Sequence, residues 1–115
     1  MPVTLDEVAA IALALPETTE VLTWEVERTF RTRNKIFVMG TPESRSISVK
    51  TSMAEQRELV GTDPETFQVA AYTGRFGWTT VDLTRVDRDE LAEIIADAWR
   101  RTATRKAVAA YDAAG

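Results

Sequence analysis

The stretch RTFRTRNKIFVMGTPESRSISVK, residues 28–50, decides how this chain is read, because it joins the clearest strand pattern in the sequence to its strongest local charge. In residues 29–33 the apolar Phe30 faces away from Arg31 and Arg33, and Asn34 marks a tight turn. Residues 35–39 are apolar at nearly every position, as in a central strand covered on both faces. After a loop at Gly40-Thr41-Pro42-Glu43, residues 46–50 alternate, with Ile47 and Val49 inward and Ser46, Ser48 and Lys50 outward. Paired in order, these strands form a meander whose outer face carries Arg31, Arg33, Ser46, Ser48 and Lys50. Six cations (Arg28, Arg31, Arg33, Lys35, Arg45, Lys50) against Glu43 give the stretch a charge of +5 inside a chain of net charge −4. An acidic protein that gathers positive charge on one sheet segment offers a face to an anionic partner. Short hydroxyls between long cations leave a surface that a phosphate backbone can approach. The competing reading is that cations on edge strands guard against aggregation.

Working outward, Thr4 and Glu7 have capping-box spacing, and Leu5, Val8, Ile11, Ala12 and Leu15 recur at helical intervals, which predicts an amphipathic helix over 5–15 ended by Pro16. Residues 21–26 alternate as a strand, with Leu22, Trp24 and Val26 on one side and Trp24 expected in the core. Beyond the meander, Ser52 and Glu55 repeat the capping box and open a helix over 53–60, with Gly61 read as its left-handed cap. Residues 67–71 and 78–83 read as a second hairpin around Gly74 and Gly77. Asp87 with Glu90 starts a last long helix whose stripe is Leu91, Ile94, Ile95, Ala98 and Trp99, with a break near Thr104 and a continuation to Tyr111. Every element has one apolar face, so the expected fold is α+β: an antiparallel sheet packed on one face by N- and C-terminal helices, in a single domain over 1–115. Trp24, Phe30, Phe37, Ile47, Val49, Val81, Leu91, Ile95 and Trp99 are the expected core.

Composition removes much of chemistry. The chain of 115 residues has no cysteine and no histidine, hence no thiolate or imidazole for metal binding and no histidine general base. Ser44, Ser46 and Ser48 lack an activating partner, the glycines fail the phosphate-loop spacing, and Asp87 and Asp89 sit where helix N-termini ordinarily attract acids. No enzyme and no cofactor are expected. The longest apolar run, residues 8–15, falls well short of the roughly 20 residues of a membrane span, so a cytoplasmic protein is expected. Gly74-x-x-Gly77 with Arg75 has the form of the phosphate clamp of KH domains, but its strand-like flanks make a hairpin turn the better reading.

Leu15-Pro16-Glu17, Trp24, Thr29-Phe30-Arg31, Lys35-Ile36-Phe37, Ser48-Val49-Lys50, Pro64-Glu65-x-Phe67, Tyr72-x-Gly74-x-x-Gly77-Trp78 and Asp89-Glu90-Leu91 through Ala98-Trp99 together resemble, in order and spacing, the MmcQ/YjbR family. The resemblance covers nearly the whole chain, and Gly77-Trp78 and Ser48-Val49-Lys50 are its most specific parts. It implies a CyaY-like α+β domain that binds DNA through a double wing of β-hairpins. The chain departs from the family's usual pattern after Trp24, where Glu25-Val26-Glu27 replaces a Gly-x-Pro run, and at 103–106, which lacks a frequent proline.

On these grounds the expected partner is DNA, bound weakly and without sequence preference, with Arg31, Arg33, Lys35, Arg45 and Lys50 on phosphates and Arg75 and Trp78 contributing from the second hairpin. The alternative is a protein-interaction module in which acidic helices or an exposed sheet face dock a partner, a reading the pI near 4.9 favours. Cation binding by the acids between Asp6 and Glu27 comes last, because they show no ligand spacing.

Overall fold

Each helix starts where a side chain satisfies its first free N–H groups. In the computed structural model, which describes residues 2–24 and 26–114, the Thr4 hydroxyl accepts from the Glu7 N–H and the Glu7 carboxylate accepts from the Thr4 N–H. This capping box opens α1 (Leu5–Leu13). Ser52 caps α2 (Met53–Thr62) and Asp87 caps α3 (Arg88–Thr102), and α4 (Arg105–Ala114) follows a break at Ala103. Gly61 lies inside α2, whose C-cap is Asp63, so the expected glycine cap is corrected: the helix runs two residues further.

Six strands form one antiparallel sheet in the order β1-β2-β3-β4-β6-β5: β1 (Thr19–Thr23), β2 (Glu27–Thr32), β3 (Lys35–Gly40), β4 (Ser46–Lys50), β5 (Phe67–Val69) and β6 (Trp78–Asp82). Short connections set the order from β1 to β4, after which β6 pairs with β4 and leaves β5 at the edge. Arg33 and Asn34 both have positive φ, 55° and 60°, which is the two-residue turn matching the twist of a hairpin. A bulge after Phe30 sets Phe30 opposite Val38 but Arg31 opposite Ile36, so Phe37 and Val38 are both buried.

The core lies on one face of the sheet. Phe30, Val38, Ile47, Val49 and Val81 point into it and meet Val8 and Ala12 of α1 and Leu91, Ile95, Ala98 and Trp99 of α3. Both helices pack on this face, α1 along β1 and β2 and α3 along β3 and β4, while α2 covers β5. The expected sheet-and-helix arrangement holds, and its core holds except at Trp24. That residue is 71% exposed, with φ 50°, in the turn after β1. The strand expected over 21–26 ends at Thr23, and the apolar side chains that suggested its continuation belong to a turn.

Candidate functional site

The other face of the sheet is open, because none of the described helices crosses it. Register assigns it Thr19, Val21 and Thr23 of β1, Glu27, Thr29 and Arg31 of β2, Met39 of β3, Ser46, Ser48 and Lys50 of β4, Gln68 of β5, and Trp78, Thr80 and Asp82 of β6. Thr29 is fully buried there, because Arg31 lies over it. The Thr29 hydroxyl donates to the Val21 carbonyl at 2.7 Å and accepts from Arg31 Nε at 3.2 Å, while Arg31 Nη2 donates to the Thr23 hydroxyl at 3.0 Å. Among the described residues, Arg31 is thus held by hydroxyls rather than by a carboxylate, and these leave its charge uncompensated.

The ladder also fixes which residues share an end of the sheet. Thr32 opposes Lys35, Val49 opposes Val38, and Lys50 opposes Trp78. The tip of the β2–β3 hairpin, the last residue of β4 and the loop between β5 and β6 therefore converge on one end. That end carries Arg33, Lys35, Lys50, Arg75 and Trp78, whereas the Arg31 side chain runs back along the outer face to Thr23, toward the other end. The Lys50 ammonium donates to the Phe76 carbonyl and stands 5.9 Å from the Trp78 ring, and the Arg75 guanidinium lies 4.8 Å from the Phe76 ring. Arg33 leaves the outer face: the turn swings it toward the helices, where Nη1 reaches the Thr102 carbonyl at 3.5 Å, at the C-terminal end of α3. Strand parity had grouped it with Arg31, but a turn residue does not follow strand parity. Arg45 stands at the opposite end, before β4, close enough to Asp82 to help hold that carboxyl low.

Gly77 makes the second loop possible. Its φ of 98° suits glycine alone, and a Cβ there would lie 2.3 Å from the Thr51 carbonyl. The loop is tied down by the buried Gln56, whose amide donates to the carbonyls of Gly74 and Trp78 at 2.9 and 2.8 Å.

Ion pairing separates the cations. Arg28, Arg85, Arg88, Arg100 and Arg101 all bind carboxylates, and Glu20 and Asp6 together raise the pKa of Arg28 well above its ordinary value. Among the described residues, Arg31, Arg33, Lys35, Arg45, Lys50 and Arg75 form no ion pair, and neither do Arg57, Arg105 and Lys106 on the helices. No group of three or more acidic side chains among the described residues could hold a metal ion, and none of the described helices is long and apolar enough to cross a membrane.

An open antiparallel sheet with helices on one face, and a cationic end built from two hairpins, defines an α+β domain with one sheet face open to solvent. The family model for YjbR matches residues 13–101, and the chain belongs to that family. The crystal structure of the Deinococcus radiodurans protein DR2400, a DUF419 domain, has the same fold. It aligns with a TM-score of 0.76 at 17% identity, covering 84% of this chain and 75% of that one. No curated protein matches the chain.

Proposed function

We propose that this protein is a non-catalytic, cytoplasmic module that binds duplex DNA without marked sequence preference, the two hairpins at the cationic end acting as wings. The observation that carries this reading is the convergence there of Lys35, Lys50 and Arg75, with Arg33 on the hairpin turn beside them, none of them paired with a carboxylate among the described residues, next to the aromatic Trp78. Spacing supports it. The centres of the two hairpins are three strand intervals apart, about 14 Å at about 4.8 Å each, close to the roughly 12 Å width of a major groove. Wing tips so placed can meet phosphates on the two sides of a groove. The longest helix, α3, is not offered for reading bases, because the first turns of its exposed face carry Asp89, Glu90 and Glu93, which the phosphates repel.

About four phosphate contacts give a log K against log salt slope of roughly −3 to −4 and a Kd of about 10⁻⁴ to 10⁻⁶ M. Fluorescence anisotropy with a labelled duplex at low salt tests this. The triple variant Lys35→Gln, Lys50→Gln, Arg75→Gln should bind more weakly and flatten the slope by about 3. Absence of a saturable change with the wild type, or an unaltered slope in the variant, defeats the proposal.

A further inference from the structure

At the end of the sheet opposite the two hairpins, apolar side chains stand in water. Leu22 is 63% exposed, Trp24 71% and Val26 58%. Trp24 is held there at φ 50°, a left-handed backbone that costs a bulky residue about 1–2 kcal/mol. Neither burial nor backbone ease accounts for a tryptophan at this position. Leu22 and Val26 line a groove of about 400 Å³ with Thr41, Pro42 and Glu43. Beside the groove, β1 is an edge strand. Among the described residues, Thr19–Thr23 makes no backbone hydrogen bond outside its ladder with β2. Its sequence, TEVLT, has no lysine, arginine or proline to blunt the edge, and its one charge, Glu20, faces the Phe30 side and is bound by Arg28. The one charge in the groove's lining is the carboxylate of Glu43, and Glu27 stands opposite Thr23. Neither has a cationic partner within ion-pair distance among the described residues: Glu20 is bound by Arg28, Arg31 reaches the Thr23 hydroxyl on the outer face, and Arg45 lies toward Asp82.

We propose that the free edge of β1 and this groove receive an extended peptide segment of a partner protein, one with an apolar anchor flanked by lysine or arginine, added as a seventh strand. The edge supplies main-chain hydrogen bonds, the groove with Trp24 takes the anchor, and Glu27 and Glu43 select positive flanks. Charge decides against two other occupants. Glu27 and Glu43 repel phosphate, and a second copy pairing through its own β1 would bring Glu27 and Glu43 of both copies toward one seam. The site is independent of the DNA reading, which concerns the other end of the sheet.

The probe is a synthetic peptide of about seven residues, long enough for one strand, alternating lysine with valine and leucine and titrated into the ¹⁵N-labelled full chain without DNA. Saturable shifts are expected at the amides of residues 19–27 and 41–43, with slowed hydrogen exchange in β1 and a blue shift of Trp24 emission. Trp24→Ala, which removes an exposed side chain and should leave the melting curve in place, is expected to weaken binding about tenfold. The double variant Glu27→Lys, Glu43→Lys should weaken it as well, and a peptide with glutamate in place of lysine should not bind. The proposal is overturned by an absence of saturable shifts in β1, by equal binding of the glutamate peptide, or by shifts confined to residues 33–37 and 74–78. It is equally overturned if sedimentation gives a dimer without peptide and hydrogen exchange finds the amides of β1 already protected in it.

Discussion

Trp99 is wholly buried, its Nε1 donating to the Pro16 carbonyl at 3.0 Å and its ring edge-on to Tyr111 at 5.2 Å, whereas Trp24 projects into solvent. Trp99→Ala should cost about 3–5 kcal/mol, and Trp24→Ala less than about 1 kcal/mol, as read by urea unfolding. Equal losses would mean that Trp24 packs after all. The sequence offered little to tell them apart. Trp99 belongs to a helical stripe five residues deep, while Trp24 rests on three alternating positions that a turn can mimic. At Asp82 a local bond sets the titration. The Thr84 hydroxyl donates to the carboxylate at 2.6 Å and its N–H at 2.9 Å, holding the pKa below the ordinary value. A depressed carboxylate contributes stability above its unfolded pKa, near 3.9, and loses it as pH falls through the lower folded value. Thr84→Val should therefore raise the Asp82 pKa toward the ordinary range and weaken the acid dependence of stability, as followed by carboxyl ¹³C titration.

Two glycines in neighbouring elements make opposite demands. Gly61 lies in the last turn of α2, where an added Cβ would meet nothing within 4 Å, so Gly61→Ala should stabilise by about 0.5–1 kcal/mol through helix propensity. Gly77, at φ 98° against the Thr51 carbonyl, cannot accept a side chain, and Gly77→Ala should cost at least about 2 kcal/mol. Thermal melts of the pair check both signs. A destabilising Gly61→Ala would restore the left-handed cap that the sequence suggested. Glycine is an ambiguous signal at the end of a helix, because the next residue that can accept the cap decides where the helix stops, and here that is Asp63. The strands of the meander were legible for the opposite reason. Ile47 and Val49 against Ser46 and Ser48 fit only period two, and Asn34 tolerates the positive φ that the hairpin turn needs.

At the scale of the whole molecule the sheet has two unlike ends, and sequence could not separate them, since end assignment requires the register. Charge counting grouped Arg45 with Lys50 because both flank the same strand. They flank it at opposite ends, about five residues and so roughly 16 Å apart. That exceeds the Debye length of about 8 Å at physiological salt, so DNA seated on the hairpin end should scarcely feel Arg45. Arg45→Gln is then expected to leave the duplex Kd within about twofold and the salt slope unchanged, whereas Lys50→Gln alone should reduce the slope by about 1. Trp24→Ala, at the far end, should leave both quantities as they are. Anisotropy titrations over a salt series separate the cases. If Arg45→Gln flattens the slope as much as Lys50→Gln does, the contact surface runs across the open face of the sheet rather than over its hairpin end, because only a duplex lying along β4 could touch both residues.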